Sequence, residues 1–336
     1  PLTAQALMMT RDGIFEPVGS HNPRPAHGLL DDPNELENWD RWVRASLLQS
    51  ELNEGLSFAT AGADAMTLKV GGSPLFTLTR PSPVFFEKQL PLVQSWATLR
   101  EERMPEILTQ IDNQVAFLAA ITGLSVNRHP WTWEWLSAAL SLVIPVEVRF
   151  KHALACRRPV AYSPQVQPVI TTPGHGTYPM GHAAQIYMLV EVLKALLCLS
   201  KLASGEVHPQ AIQLDRLAER VSVNRIVAGV HFPIDAHAGR ALGRAMARYF
   251  LSQCGVDLSG ADLKPAWLGF GRNLDGADPM AWDFPGDVVD QQGNLQERHT
   301  GEGAAPNLAK KGPRLLARLT QLALRELQGP AIGEAL

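Results

Sequence analysis

Apolar residues recur at helical spacing over most of this chain. Four segments carry apolar positions three or four residues apart, as on one face of an α-helix. These segments are Asn34–Leu52, Pro91–Arg103, Pro105–Gly123 and the stretch from Pro130 through Trp133 to Leu140. Strand-like alternation is scarce and is confined to Leu68–Val70 and Phe76–Leu78. The pattern therefore predicts an all-α fold, built as a helical bundle.

The two ends of the chain differ from its middle in amino-acid composition. Residues 1–33 are rich in Pro, Gly, His and Asn, which predicts an extended N-terminal arm before a helical domain over residues 34–258. In the third region, residues 259–336, a Gly-, Pro- and Asp-rich stretch up to Lys311 predicts an irregular wrap without regular elements. The last helix, Pro313–Gln328, has one wide apolar face. We expect it to pack on the same domain, and a homodimer contact is the alternative.

Composition and charge limit the classes of partner. Of the 336 residues, 46% are hydrophobic, which is enough for a sizeable buried core. The net charge of −3 comes without any block of like charge, so we expect neither a nucleic-acid partner nor a polybasic membrane anchor. The two most apolar stretches are too short or carry charges: Leu136–Val146 contains Pro145, and Ile186–Leu202 contains Glu191 and two lysines. We expect core helices there and no membrane span.

The cysteines and the first residues bear on the compartment. Three cysteines, an odd number with wide spacing, favour reduced thiols and hence a cytoplasmic protein. Residues 1–25 contain charges and helix breakers where a secretory signal would have its apolar core. A signal that had already been removed would instead indicate the periplasm.

Three segments carry candidate chemistry, and the first contains two cations. Lys151 and Arg158 lie seven residues apart, which is two helical turns, so on one helix both would project from one face and attract an anion. The alternative is a pair of ordinary surface charges.

The second segment precedes a predicted helix. Gly181 and His182 stand directly before the helical run Ala183–Ser200. Backbone N–H groups at a helix start are free to meet an anion, and the helix dipole assists them. Without further support His182 could be no more than a helix cap.

The third segment contains Arg225, His231 and Asp235. Asp235 is placed to accept a hydrogen bond from one ring nitrogen of His231, which would leave the other nitrogen as a nucleophile or ligand. A partly buried His–Asp pair without a chemical role is the alternative.

Together the three segments resemble the signature of the type 2 phosphatidic acid phosphatase and vanadium-dependent haloperoxidase superfamily. That signature is Lys, six residues, Arg-Pro; then Pro-Ser-Gly-His; then Arg, five residues, His, three residues, Asp, and this chain agrees at every position but one. The resemblance is tight over Arg149–Gly239 and looser over Pro91–Phe150. It implies a helical catalytic domain that holds an oxyanion, vanadate or phosphate, in a cup.

The resemblance also implies a role for each matching residue. Lys151, Arg158 and Arg225 would neutralise the oxygens of the anion, and the Gly181 N–H would donate to one of them. His182 would be the acid and base. His231, oriented by Asp235, would bond to vanadium or attack phosphorus.

Two reactions are compatible with such a cup. A haloperoxidase would oxidise bromide or iodide with hydrogen peroxide, with vanadium as a Lewis acid. A soluble acid phosphatase would hydrolyse a phosphoester through a phosphohistidine on His231. The stretch Arg149–Cys156 looks closer to the soluble bacterial haloperoxidase-like branch, which we therefore place first. The sequence does not specify the halide, the organic acceptor or the phosphoester.

Three positions around the signature modify this expectation. Met180 stands where the family has Ser, and a thioether cannot donate a hydrogen bond. An inactive oxyanion-binding homologue is therefore a third hypothesis. His175, seven residues before His182, matches a second histidine of bromoperoxidases, although it could be a simple loop residue. Val148 replaces a tryptophan that haloperoxidases often have at this position, which would leave the halide site incomplete.

Overall fold

The fold is mainly helical, as the periodicity predicts. The computed structural model describes residues 2–14, 27–112, 114–199, 207–255, 267–271, 274–284, 288–289, 295–296, 301–303 and 314–328. The helices are α1 (Leu2–Ile14), α2 (Arg41–Asn53), α3 (Pro83–Lys88), α4 (Leu90–Trp96), α5 (Arg100–Thr109), α6 (Gln114–Thr122), α7 (Pro130–Leu154), α8 (Pro159–Tyr162), α9 (Gly181–Leu196), α10 (Pro209–Val227), α11 (Pro233–Gln253) and α12 (Arg314–Gln328). The strands are β1 (Leu56–Thr60), β2 (Ala65–Val70), β3 (Ser73–Thr79), β4 (Trp267–Phe270), β5 (Val288–Val289), β6 (Leu295–Gln296) and β7 (Gly301–Gly303).

Helix α9 is the central element, and it packs against α7, α10 and α11. Its closest neighbour is α11, because two glycines of α11 remove the side chains that would separate the helices. A Cβ on Gly239 would lie 2.4 Å from the carbonyl oxygen of Met180, and a Cβ on Gly243 would lie 2.4 Å from that of Ala184. The Met180 N–H also donates to the carbonyl oxygen of Asp235 at 2.8 Å. The N-termini of α9 and α11 are therefore held side by side.

A five-stranded sheet covers one side of the helices, so the prediction of an all-α fold was wrong in this respect. Its order is β1-β2-β3-β4-β7, with β3 and β4 parallel and the other pairs antiparallel. The short alternating pieces identified in the sequence lie in β2 and β3. Phe76 of β3 is fully buried and packs edge-on against Phe150 of α7, with 5.8 Å between ring centroids. Strand β4 was missed because its partner in the sheet lies about 190 residues earlier in the chain.

The N-terminal region also differs from the prediction. Residues 2–14 form helix α1 and not an extended arm, and the side chains of residues 2–13 are exposed. The Pro- and Gly-rich composition that led to the prediction begins only at Gly13. Residues 15–26 of the predicted arm lie outside the described residues.

The C-terminal region returns to the core. Helix α12 packs against α7 and α2 of the same chain, with Leu316 and Leu319 fully buried. Trp135 of α7 donates its indole N–H to the Thr320 hydroxyl at 3.0 Å. Much of the predicted irregular wrap is outside the described residues, but β4 shows that it does contain a regular element.

None of the helices within the described part of the chain combines the length and apolar character needed to cross a membrane. The longest, α7, contains Pro145 and three charged residues in its C-terminal half, Glu147, Arg149 and Lys151.

Candidate oxyanion-binding site

The three segments singled out in the sequence meet at the ends of five helices. Lys151 is in the last turn of α7, and Arg158 immediately precedes α8. Gly181 and His182 begin α9, Arg225 lies in the last turn of α10, and His231 and Asp235 lie at the start of α11. Helix ends expose unpaired backbone groups and partial charges, which suits a site for a charged ligand.

Lys151 and Arg158 do not share a helix, contrary to the prediction. Helix α7 ends at Leu154, and Ala155 adopts a left-handed conformation with φ of 50°. Pro159 disfavours helical backbone at Arg158, the residue before it, which has φ −71° and ψ 157°. The two cations nevertheless reach the same loop, residues 175–179.

The ammonium group of Lys151 is fully occupied by the backbone of that loop. Its Nζ donates to the carbonyl oxygens of Gly176 at 3.3 Å, Thr177 at 3.2 Å and Pro179 at 2.5 Å. Three donors are all that an ammonium has. The side chain is 1% exposed, and burial lowers the pKa of Lys151 to about 8. In this arrangement Lys151 fixes the loop and has no donor left for an anion.

Arg158 holds the nitrogen of His231 that would react. Its NH1 donates to the Val230 carbonyl oxygen at 2.8 Å and to His231 Nε2 at 2.9 Å. Its Nε donates to the His175 carbonyl oxygen at 3.1 Å, and its NH2 lies 3.2 Å from His175 Nδ1. Burial lowers the pKa of Arg158 to about 10. An anion would have to take over one of these hydrogen bonds.

His231 and Asp235 form the oriented pair. His231 Nδ1 lies 2.9 Å from Asp235 Oδ2, which also accepts from the Thr177 hydroxyl at 2.5 Å and from the Phe232 N–H at 2.9 Å. These partners place the ring proton on Nδ1 and leave Nε2 with its lone pair. Burial raises the pKa of Asp235 to about 6, whereas burial and nearby Arg158 lower the pKa of His231 well below its usual value. A neutral, oriented imidazole is the form that can act as a nucleophile or ligand.

The turn that presents His231 depends on a glycine. Gly229 has φ of +79°, in the left-handed region that other residues rarely adopt. A Cβ at this position would also lie 2.8 Å from the guanidinium of Arg100. Arg100 in turn donates to the carbonyl oxygens of Val166 and Val227, and these hydrogen bonds link the residues before the turn to the 166 segment.

Arg225 differs from the other two cations because most of its donors have no partner. The side chain is 1% exposed, and NH2 donates to the Ile107 carbonyl oxygen at 2.7 Å. Its Nε and NH1 are buried without a hydrogen-bond partner among the described residues. A buried guanidinium with unmet donors is costly unless a ligand supplies the acceptors. An anion at this position would supply acceptors for these donors.

His182, like Arg225, lies against a carbonyl oxygen of the segment around the end of α5. Its Nε2 lies 3.1 Å from the carbonyl oxygen of Gln110, just beyond α5. This contact places the ring proton on Nε2 and leaves Nδ1 as the acceptor. Burial and, next, the positive charge of Arg225 lower the pKa of His182 to about 4. His182 is therefore neutral near pH 7 and can take up a proton.

Glu147 is a member of the site that sequence reasoning missed. Its carboxyl group is buried against the start of α9, where a Cβ on Gly181 would lie 2.5 Å from Oε1. Oε1 accepts from Gln185 Nε2 at 3.0 Å, and Oε2 is buried without a partner among the described residues. Burial raises the pKa of Glu147 to about 7. Its position one turn before Lys151 could have indicated it, but a carboxylate is not expected beside an anion.

The three modifying positions have different surroundings. Met180 is fully buried in the core and precedes α9 without a side-chain capping hydrogen bond. His175 is exposed and flanks Arg158. Val148 is 45% exposed on the outer face of α7, so the structure does not bring it to the site, contrary to the possible halide-site role.

Neither a family model nor a curated protein matches this chain.

Proposed function

We propose that this protein is a vanadate-dependent haloperoxidase-like enzyme that oxidises bromide or iodide with hydrogen peroxide. The observation that carries the proposal is the buried guanidinium of Arg225, whose Nε and NH1 have no partner among the described residues and would be satisfied by an anion. Arg225 lies close to His182, in the same cluster of helix ends as the oriented nitrogen of His231.

The residues fit an oxyanion of the vanadate type. Arg225 would bind its oxygens, and the N-terminus of α9 at Gly181 adds the positive end of a helix dipole. His231 Nε2 would be the ligand to vanadium, and NH1 of Arg158 would then exchange its hydrogen bond with this nitrogen for one with an anion oxygen. Bound vanadate supplies a Lewis acid that activates hydrogen peroxide.

His182 supplies the proton chemistry. Because its pKa is lowered to about 4, the ring is neutral near pH 7, and Nδ1 can accept a proton from hydrogen peroxide. The Nε2–H bond to the Gln110 carbonyl oxygen keeps the ring in this orientation. His175, next to Arg158 at the exposed side of the site, is consistent with a preference for bromide or iodide.

A soluble acid phosphatase is the second candidate, and two observations favour it. Val148 faces outwards, so the chain lacks a side chain at the family's halide position. A groove of about 800 Å³ is lined by Phe86, Tyr162 and Arg157, among others, and could hold the organic part of a phosphoester. Phe86 and Tyr162 both pack on Phe232, the residue after His231. In this reaction His231 Nε2 would attack phosphorus, and His182 would protonate the leaving alcohol.

One set of assays separates the candidates. The purified protein is given bromide or iodide with hydrogen peroxide, with and without vanadate, and in parallel p-nitrophenyl phosphate. Vanadate-dependent halide oxidation supports the first proposal, and phosphoester hydrolysis that vanadate inhibits supports the second. Anion binding without either activity would identify the inactive homologue that Met180 suggested.

A further inference from the structure

Glu147 is a carboxyl group in a site built for an anion. It lies on α7 four residues before Lys151, so both side chains project from the same face of the helix. The carboxyl group is 4% exposed and touches Gly181, the first residue of α9. An ionised carboxylate at this place would repel the ligand that Arg225 requires.

Glu147 is not explained as half of a structural ion pair. The charge of Lys151 acts on Glu147, but the three protons of its ammonium group go to the carbonyl groups of the 176–179 loop. Oε1 has one neutral donor, Gln185, whose amide oxygen is in turn bonded by Gln114 of α6. Oε2 has no partner. A buried oxygen without a donor is better accommodated as the O–H of a neutral carboxyl group, which needs an acceptor.

We infer that Glu147 is a ligand of the bound oxyanion in its neutral form, donating its Oε2–H to an anion oxygen at the start of α9. The inference rests on the proposed function, since it concerns the same anion. It supplies the neutral hydroxyl donor that Met180 lacks, from the neighbouring helix. When Glu147 ionises, the donor is lost and a negative charge faces the anion, so binding of the anion is linked to the uptake of one proton.

Other groups near Glu147 titrate as well, and the experiment must separate them. Lys151 faces Glu147 from the same helix, and its pKa is lowered to about 8 by burial. Arg158 and Asp235 act on Lys151, and the pKa of Asp235 is raised to about 6 by burial. These groups are present in both the wild type and Glu147→Gln, so the difference between the two proteins isolates Glu147. Glu51, whose pKa burial also raises to about 7, contacts the start of α12 and provides a matched control.

The test uses sulfate, because its charge is constant between pH 5.5 and pH 7.5. Calorimetric titrations give the sulfate Kd for the wild type, Glu147→Gln and Glu51→Gln over this range. We expect the wild-type Kd to rise about fourfold from pH 5.5 to pH 7.5, following a group of pKa about 7. Glu147→Gln, which always carries N–H donors, should lack this rise, and Glu51→Gln should behave as the wild type.

A second measurement needs no variant and covers the case that Glu147→Gln does not fold. Titrations of the wild type at pH 7.5 in buffers of different ionisation enthalpy give the protons taken up per sulfate. We expect more than about half a proton, which exceeds what Lys151 could contribute below its own pKa. Uptake near zero, or pH profiles of wild type and Glu147→Gln that run parallel, would overturn the role of Glu147 alone. Absence of sulfate binding at every pH would overturn the proposed function and this inference together.

Discussion

The two cations at and just after the end of α7 and the cation at the end of α10 belong to one sequence motif. They differ in how many of their hydrogen-bond donors have partners. Lys151 gives all of its donors to three carbonyl groups, and Arg158 contacts His175 of the loop, the Val230 carbonyl oxygen and His231. Among the described residues, Arg225 has one carbonyl partner, and its buried Nε and NH1 have none. Among the described residues, the donors of the first region have partners without a ligand, whereas a ligand would supply partners for those of the second.

This difference assigns the three cations to two roles: Lys151 and Arg158 hold the fold together, and Arg225 is available to bind a ligand. A buried cation whose donors are satisfied stabilises the fold, because removing it leaves several carbonyl groups unpaired. A buried cation with unmet donors lowers stability until a ligand arrives. The predictions below test this division, and they run from the largest expected effect to the smallest.

The largest effect is expected for His231→Ala. Both candidate reactions need Nε2 as ligand or nucleophile, so turnover should fall by at least ~10³-fold while the protein remains folded. Initial rates with halide and peroxide, or with p-nitrophenyl phosphate, measure this. His152→Ala, an exposed histidine at the end of α7, is the control and should keep its rate. Undiminished turnover of His231→Ala would refute the assignment of this residue.

The two cationic regions should respond to mutation in opposite ways. Arg225→Met should weaken sulfate binding by about 3 kcal/mol, because charge-assisted hydrogen bonds are lost, without lowering the stability of the ligand-free protein. Lys151→Met should lower the free energy of unfolding by about 3 kcal/mol, because three carbonyl groups lose their donor. Urea unfolding and sulfate calorimetry measure the two effects. If Arg225→Met were the less stable variant, the division between scaffold and binding site would be wrong.

The two histidines that face these regions should differ in pH dependence. Burial lowers the pKa of His182 to about 4, below the ordinary 6.5, so its contribution to stability is present above pH 6.5 and is lost as the pH falls towards 4. The wild type should therefore lose about 2 kcal/mol more than His182→Gln between pH 6.5 and pH 4, after allowance for partial solvent screening. His175→Asn is the matched control at an exposed site and should show a much smaller difference. Urea unfolding at several pH values decides this, and equal losses for the two variants would contradict the burial of His182.

The smallest effect on the site is expected for Met180→Ser. Met180 is fully buried in the core, so Ser would leave a void and lower the melting temperature. A serine would gain a helix cap at the start of α9, but we expect the sulfate Kd to change by less than about threefold, since Glu147 already supplies a donor. Met188→Ser, at a fully buried methionine within α9, controls for the void. Sulfate binding that became ten times tighter would mean that Met180 does replace a missing donor.

Local pattern was sufficient for several helices and for the residues of the candidate site other than Glu147, but it did not predict α10 or α11. The bounds of α9 and α12 lie close to the predicted ones because each has a long apolar face and a clear start. The segment Pro91–Arg103 was predicted as one helix, but α4 ends at Trp96 and α5 begins at Arg100. The sheet was mostly missed, since short strands carry little periodicity and β3 pairs with a strand from the far end of the chain.

By itself the sequence indicated several of the helices and the side chains that carry the candidate chemistry: the cations, the two histidines and the aspartate at their characteristic spacing. Only the tertiary structure decided which donors are free. The donors of Lys151 are satisfied by the carbonyl groups of the 176–179 loop, and Arg225 has one acceptor, the carbonyl oxygen of Ile107 of α5. Glu147 became part of the site only because α7 crosses the start of α9 there. Whether a buried polar group is satisfied depends on partners brought from distant parts of the chain, and no local pattern contains that information.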